Sequence, residues 1–172
     1  MRKGGKGGAR TNETGLAFEF KTSLSLVLAA AGYEVEDGVI LHKGIEVGEL
    51  AAKSKINKFL KKHNAIVEPP RVGKLEPDEA IYVKSTDTLF IVEKKFQSVE
   101  GSTDEKIQTA VYKAHYYNML LEGTGIKLKF MYLLNDWFKK EKYNLVIEWL
   151  LENGVAVYFE EIPLTEFELA RT

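Results

Sequence analysis

Asp78, Glu93 and Lys95 are the residues whose types and spacing bear most directly on chemistry. Residues 89–95, Leu-Phe-Ile-Val-Glu-Lys-Lys, read as a strand. Side chains alternate along a strand, so Glu93 and Lys95 share one face while Val92 and Lys94 take the other. A charged pair closing an otherwise apolar strand is unusual for a purely structural element. The apolar run before it, residues 80–83, begins just after Pro77-Asp78. A short polar turn through Ser85, Thr86 and Asp87 would join the two runs as an antiparallel hairpin. Asp78 then lands beside Glu93 and Lys95 at one edge of the sheet. Two carboxylates facing one opening form a hard-oxygen site suited to Mg²⁺. A metal so held polarises a phosphodiester and lowers the pKa of a bound water. A neighbouring lysine can hold that water in line or neutralise developing charge. Phosphodiester hydrolysis needs these parts and no covalent intermediate. The plainer alternative makes Asp78 a turn residue and Glu93 with Lys95 an exposed pair, since ExK triplets arise often by chance.

Two further features bear on that choice. Gln108 and Tyr112 lie four residues apart on the polar face of the helix expected after the strand, from which Gln108 could return toward the site. Glu19, between Phe18 and Phe20, is either a solvated glutamate or a carboxylate approaching a metal from across the sheet. His42, His63 and His115 have no spaced partner, which gives a histidine metal site little support. The glycines at 4, 5, 7 and 8 follow no strand and lack the ordered lysine and hydroxyl of a phosphate-binding loop.

The elements that must position these residues are legible as periodicities. Residues 13–31 read as one helix, with Leu16, Phe20, Leu24, Val27 and Ala31 on its apolar face and Thr11 or Asn12 at its cap. Residues 33–36 and 39–42 read as a hairpin about Asp37-Gly38. Residues 49–63 read as a second helix, burying Ala52, Ile56, Phe59 and Leu60. Pro69-Pro70 breaks the chain before the central hairpin. Ser102 and Glu105 form a capping box for a helix running to about residue 121, with Ile107, Ala110, Val111 and Ala114 inward. A strand over 126–134, a helix over 137–152 and a strand over 155–159 complete the order αββα, then ββαβαβ. Trp137 and Trp149 read as core or interface anchors of that last helix. The expectation is a mixed α/β single domain over residues 1–172, with residues 1–12 a basic, glycine-rich arm.

At 172 residues, with 45% apolar and 28% charged side chains, the chain has the size and composition of one globular domain. It contains no cysteine, which excludes disulfides, thiolate metal sites, iron–sulfur clusters and cysteine nucleophiles. No segment approaches the ~18 consecutive apolar residues of a membrane span, and no signal peptide is visible behind the basic start, so a cytoplasmic protein without membrane partners is expected. The net charge of −1 hides two local runs. One is Arg2, Lys3, Lys6 and Arg10. The other is Lys53, Lys55, Lys58, Lys61 and Lys62. Such runs are either solvated faces or patches that steer a polyanion.

Pro77-Asp78, fourteen residues, then Glu93-Lys94-Lys95 resembles the PD-(D/E)xK signature of restriction endonucleases and related nucleases. Residues 93–97 through Gly101-Ser102 to 104–108 also resemble a segment of some type II restriction enzymes, as does the opening 7–12 followed by 15–19. Together these stretches cover about half of the chain. The resemblance implies a restriction-endonuclease-like fold, with a mixed central sheet flanked by helices. It implies Asp78 and Glu93 as metal ligands, Glu19 as the first-helix carboxylate, Lys95 as the catalytic lysine, and Gln108 and Lys113 as supporting residues. Gln108 to Tyr112 equally fits the Q-x-x-x-Y pattern of nucleases similar to the RecB nuclease domain.

The expected function is a Mg²⁺-dependent, site-specific endonuclease acting on double-stranded DNA. Arg10, Lys53, Lys55, Lys58, Lys62 and Lys113 would serve as nucleic-acid contacts. Cutting both strands of a short site is most simply done by a homodimer, and a restriction role implies a separate cognate DNA methyltransferase of the same specificity. The rivals are a repair or recombination nuclease that reads DNA structure, and a non-catalytic DNA-binding protein on the same fold.

Overall fold

The computed structural model of the chain describes residues 8–65, 75–101 and 103–169; the side chains of residues 8–14 and of Thr103 lie outside that description. The elements in chain order are α1 (Gly8–Lys21), α2 (Leu24–Ala30), β1 (Glu34–Glu36), β2 (Val39–His42), β3 (Ile45–Leu50) and α3 (Lys55–Lys62). They continue with β4 (Glu79–Val83), β5 (Thr88–Lys95), α4 (Thr103–Lys106), α5 (Ala110–Leu120), β6 (Lys127–Leu134), α6 (Asn144–Glu152) and β7 (Val155–Phe159). Short 3₁₀ turns precede α5 and α6 and follow β7.

The seven strands form one sheet in sequential order. β1 to β5 make an antiparallel meander, and β5, β6 and β7 run parallel. Parallel strands need crossovers, which α4–α5 and α6 supply. Helices cover both faces. Ala80, Tyr82, Leu89, Ile91, Phe130 and Tyr132 pack toward α3, α5 and α6. Ile81, Val83, Phe90, Val92, Met131 and Leu133 pack on the other side against Phe18, Leu24, Leu28 and Phe167. A sheet buried on both faces explains why residues 88–93 read as an unbroken buried run rather than an alternating one. This is the expected mixed α/β single domain with a central sheet flanked by helices.

The two hairpins fall where their turn residues put them. Asp37-Gly38 has φ of 50° and 93°, the left-handed pair that matches strand twist in a two-residue turn. Asp87, at φ 49°, closes the β4–β5 turn. Lys43-Gly44 repeats the left-handed pair at 52° and 75° and starts β3, a strand not expected from the sequence, whose end overlaps the start of the expected helix. The expected helix over 49–63 is therefore shortened to α3, which does bury Ile56, Phe59 and Leu60. Gly48 is what lets β3 lie against β4. A Cβ there would sit 2.3 Å from the Tyr82 carbonyl oxygen.

Three helices differ from expectation for local reasons. The first begins at Gly8 rather than 13, taking in part of the expected arm, and breaks after Lys21. The Thr22 hydroxyl donates to the Phe18 carbonyl at 2.6 Å, and Ser23 is extended at ψ 122°. The break shifts the phase, so Phe18, Leu24 and Leu28 are buried whereas Leu16 and Phe20, expected inward, are 65% and 71% exposed. The crossover helix is interrupted by a 3₁₀ turn at Ile107–Thr109. The helix expected over 137–152 opens as two 3₁₀ turns and becomes α-helical only at Asn144. There Trp137 is half-buried and Trp149 is exposed. Pro69-Pro70 and Ser102 lie outside the described residues.

Candidate active site

The site is built by the β4–β5 register. Glu79 pairs with Val92, which sets Asp78, one residue earlier, opposite Glu93. The Asp78 carboxylate is fixed further by the chain it faces: its Oδ2 accepts the Lys94 backbone N–H at 2.8 Å. Lys95 Nζ lies 3.0 Å from Glu93 Oε2 and 3.7 Å from Asp78 Oδ2, so one ammonium serves both carboxylates. It also donates to the Lys94 carbonyl at 3.0 Å and stands 5.8 Å from the centroid of the Tyr132 ring. Burial raises the Tyr132 pKa, so that wall of the site is a neutral phenol.

Glu93 is 3% exposed, and a carboxylate so removed from water needs compensating charge. It has two lysines. Lys113 of α5 places its Nζ 2.7 Å from the same Oε2 that Lys95 contacts. Asp78 is the open end of the cluster, with its side chain 44% exposed. Two carboxylates and two lysines balance in charge, and the described contacts of both carboxylates use a single oxygen each.

The neighbouring residue belongs to the opposite face of β5. The Lys94 side chain is 6% exposed, pairs with Glu79 at 2.9 Å and approaches the Glu19 carbonyl at 3.4 Å. Glu19 shares a groove with Asp78 and Lys94, but Glu93 projects from the other side of the strand. The three carboxylates expected to share a metal therefore do not converge. Among the described residues there is no group of three or more histidine, aspartate or glutamate side chains placed to hold one ion.

Gln108 is not brought to this cluster. The 3₁₀ turn that carries it directs it to a groove with Asp104, Lys142, Tyr143 and Trp149. Tyr112, its expected companion, is exposed and stacks on Tyr116. Of the expected nucleic-acid contacts, Lys53, Lys55 and Lys58 are exposed on and before α3. Lys62 is paired with Glu49, and Lys113 faces Glu93 rather than solvent. The Arg10 side chain lies outside the described residues.

A polar network that the sequence reading missed steadies the crossover. Gln97 is buried and exchanges hydrogen bonds with Asn135, its N–H donating to Oδ1 at 3.0 Å and its carbonyl accepting from Nδ2 at 2.9 Å. Its side-chain amide donates to Asp104 Oδ1 at 2.7 Å. The Tyr143 hydroxyl donates to the same oxygen at 2.7 Å and itself accepts from Trp137 Nε1 at 2.9 Å. The Tyr143 bond is the main cause holding the Asp104 carboxyl below its usual range. The network ties the end of β5 to the start of α4, and so fixes the path that carries Lys113 back to Glu93. No short motif announces it, because its members are spread over residues 97–143.

No protein-family profile matches the chain, and no curated protein matches it. Two solved structures resemble it at a distance. An XisH family protein from Nostoc punctiforme PCC 73102 superposes with a TM-score of 0.40 and 13% identity, over 83% of this chain and 88% of that one. The SfsA of Pyrococcus furiosus, solved in complex with Ca²⁺, gives 0.31 and 15%, over 74% of this chain and 62% of that one. Among the described residues no helix is long and apolar enough to cross a membrane.

Proposed function

We propose that the chain is a Mg²⁺-dependent DNA endonuclease of the restriction type that hydrolyses phosphodiesters with an activated water. The observation that carries this reading is the convergence of Asp78 and Glu93 on the single ammonium of Lys95. The donor set fits the metal: Mg²⁺ takes hard oxygen ligands, keeps several waters, and is commonly held by one or two carboxylates plus substrate oxygens. Bound between Asp78 and Glu93, it would polarise the phosphodiester and acidify a water.

The chain's own residues do the rest. Asp78, the more exposed carboxylate, faces the entering substrate. Glu93, the buried one, lies between two lysines and orients Lys95. The Lys95 ammonium neutralises charge on the phosphate as the bond to the leaving oxygen breaks. Lys113 holds Glu93 in place. Lys55 and Lys58, exposed on α3, and Lys53 just before it meet the phosphate backbone. Cleavage of both strands calls for a second copy of the chain, and a restriction role for a separate methyltransferase of the same specificity.

The test is cleavage of intact plasmid and of forked or mismatched DNA by purified protein in Mg²⁺. Discrete fragments with defined ends support the restriction reading. Cutting confined to branched or mismatched substrates moves the assignment to a structure-reading nuclease, and binding without cleavage of any substrate removes the enzyme reading.

A further inference from the structure

A groove of about 610 Å³ opens between α1 and the entry to β4, and the active-site Asp78 forms part of its wall. On the α1 side it is lined by Leu16 and Phe20, the large apolar side chains that the helix leaves outside the core among its described residues. Leaving a phenylalanine largely in water forfeits the free energy of burying its ring, so its place beside Asp78 has to be explained. The floor is the Lys94–Glu79 ion pair, which is shielded and self-neutralised. At the rim stands Lys53. Its backbone is left-handed at φ 53°, a conformation that residues other than glycine rarely adopt. Its N–H donates to the Pro77 carbonyl at 2.8 Å, which anchors the lysine backbone next to Asp78.

An aromatic face and a cation beside a phosphodiesterase centre match the two halves of a nucleotide. The base stacks on the ring and the phosphate meets the ammonium. Charge decides which half goes deeper. Glu19 and Asp78 line the groove and repel a bare phosphate, so the neutral base takes the interior and the phosphate the Lys53 rim. A base inside a duplex has both faces covered. Phe20 can only receive one that has left the stack.

We propose that this groove seats an unstacked nucleobase of the substrate strand beside the scissile phosphate, with Phe20 as its stacking platform and Lys53 on its phosphate. The assignment rests on the phosphodiesterase reading of Asp78, Glu93 and Lys95. It adds a preference for DNA that is frayed, unpaired or easily opened next to the cut.

Binding is measured on the full chain carrying Lys95→Ala, so that cleavage does not intervene. Fluorescence anisotropy compares a labelled forked duplex with one single-stranded arm and the fully paired duplex of the same sequence. The forked probe should bind more tightly. Adding Phe20→Ala should weaken it about tenfold, with little change for the paired probe, and Phe20→Trp should restore it. Lys53→Ala should weaken both probes and reduce the salt dependence by about one phosphate contact. Phe20 and Lys53 are exposed, so unchanged thermal melts serve as the folding control. Unchanged affinity of Phe20→Ala for the forked probe overturns the groove assignment alone, provided that Lys95-dependent cleavage persists in the parent. A shift in oligomeric state by light scattering, with DNA affinity unchanged, also overturns it by assigning Phe20 to a contact between copies. No DNA binding by the parent chain removes both readings together.

Discussion

Lys113 Nζ lies 2.7 Å from Glu93 Oε2, although the two residues are 20 positions apart and belong to a helix and a strand. That contact converts the end of β5 from an ion pair into a triad in which one buried carboxylate is shared by Lys95 and Lys113. It also ties α5 to the site, so the placement of Glu93 depends on the crossover as well as on the β4–β5 hairpin.

Lys113→Ala should therefore leave Glu93 buried with one cation. The expected cost is about 2 kcal/mol of stability and a 10- to 100-fold loss of cleavage rate, the usual effect of removing the partner of a ligating carboxylate. Lys113→Arg should recover most of the stability. Urea melts and nicking rates measured on the same preparations check both. A Lys113→Ala protein as stable and active as the parent would mean that the contact holds nothing in place.

Glu93→Gln keeps the shape and removes the charge between the two lysines. Cleavage should fall on the order of a hundredfold or more, with the far-ultraviolet circular dichroism spectrum unchanged. Titration of Mg²⁺ against the cleavage rate should move to higher concentration. Retention of parental rate at low Mg²⁺ would remove Glu93 from the site.

These residues show what was legible in the chain and what was not. Strand alternation and the polar turn through Ser85, Thr86 and Asp87 are enough to bring Asp78, Glu93 and Lys95 together, because both are local rules and the register that joins them spans a tight hairpin. Longer-range placement was not. Glu19 and Gln108 depend on helix phase, and each helix is interrupted, one at Thr22-Ser23 and the other at the 3₁₀ turn Ile107–Thr109. A shift of one or two residues turned Phe20 outward, and the 3₁₀ turn carries Gln108 to a different groove. β3 escapes a sequence reading because its one glycine and two glutamates carry no strong strand pattern, and its last two residues fall in the helix expected over 49–63. Its signal lay in the Lys43-Gly44 turn. Lys113 was marked only through family resemblance, and nothing in its neighbours indicates that it faces Glu93.

Gly48→Ala tests the β3–β4 contact. The added methyl would sit 2.3 Å from the Tyr82 carbonyl oxygen, a backbone atom with little room to yield, and against the Ile40 side chain. A loss of about 2–3 kcal/mol is expected in urea denaturation. An unchanged midpoint would mean that β3 is not seated as described.

Stability should also depend on pH through His63. Its ring packs against Phe59 and Tyr82 at centroid distances of 4.4 and 5.1 Å. Burial, and then Lys62, hold its pKa below the ordinary 6.5, outweighing Glu49 and Asp87. The folded chain thus binds this proton less readily than the unfolded one. The contribution is fully present above the ordinary value and is lost as pH falls toward the folded pKa. Urea midpoints at about pH 7.5 and about pH 5 should differ by less in His63→Phe than in the parent. Equal pH dependence in the two would contradict the assignment.

The central claim is that Asp78, Glu93 and Lys95 form a working phosphodiesterase site, and cleavage of supercoiled plasmid measures it most directly. The parent protein and Lys95→Ala are incubated with plasmid in Mg²⁺ and in EDTA. The expected result is nicked or linear product from the parent in Mg²⁺ only, and none from Lys95→Ala despite retained DNA binding. Cleavage by Lys95→Ala at the parental rate, or parental cleavage that persists in EDTA, would contradict the account.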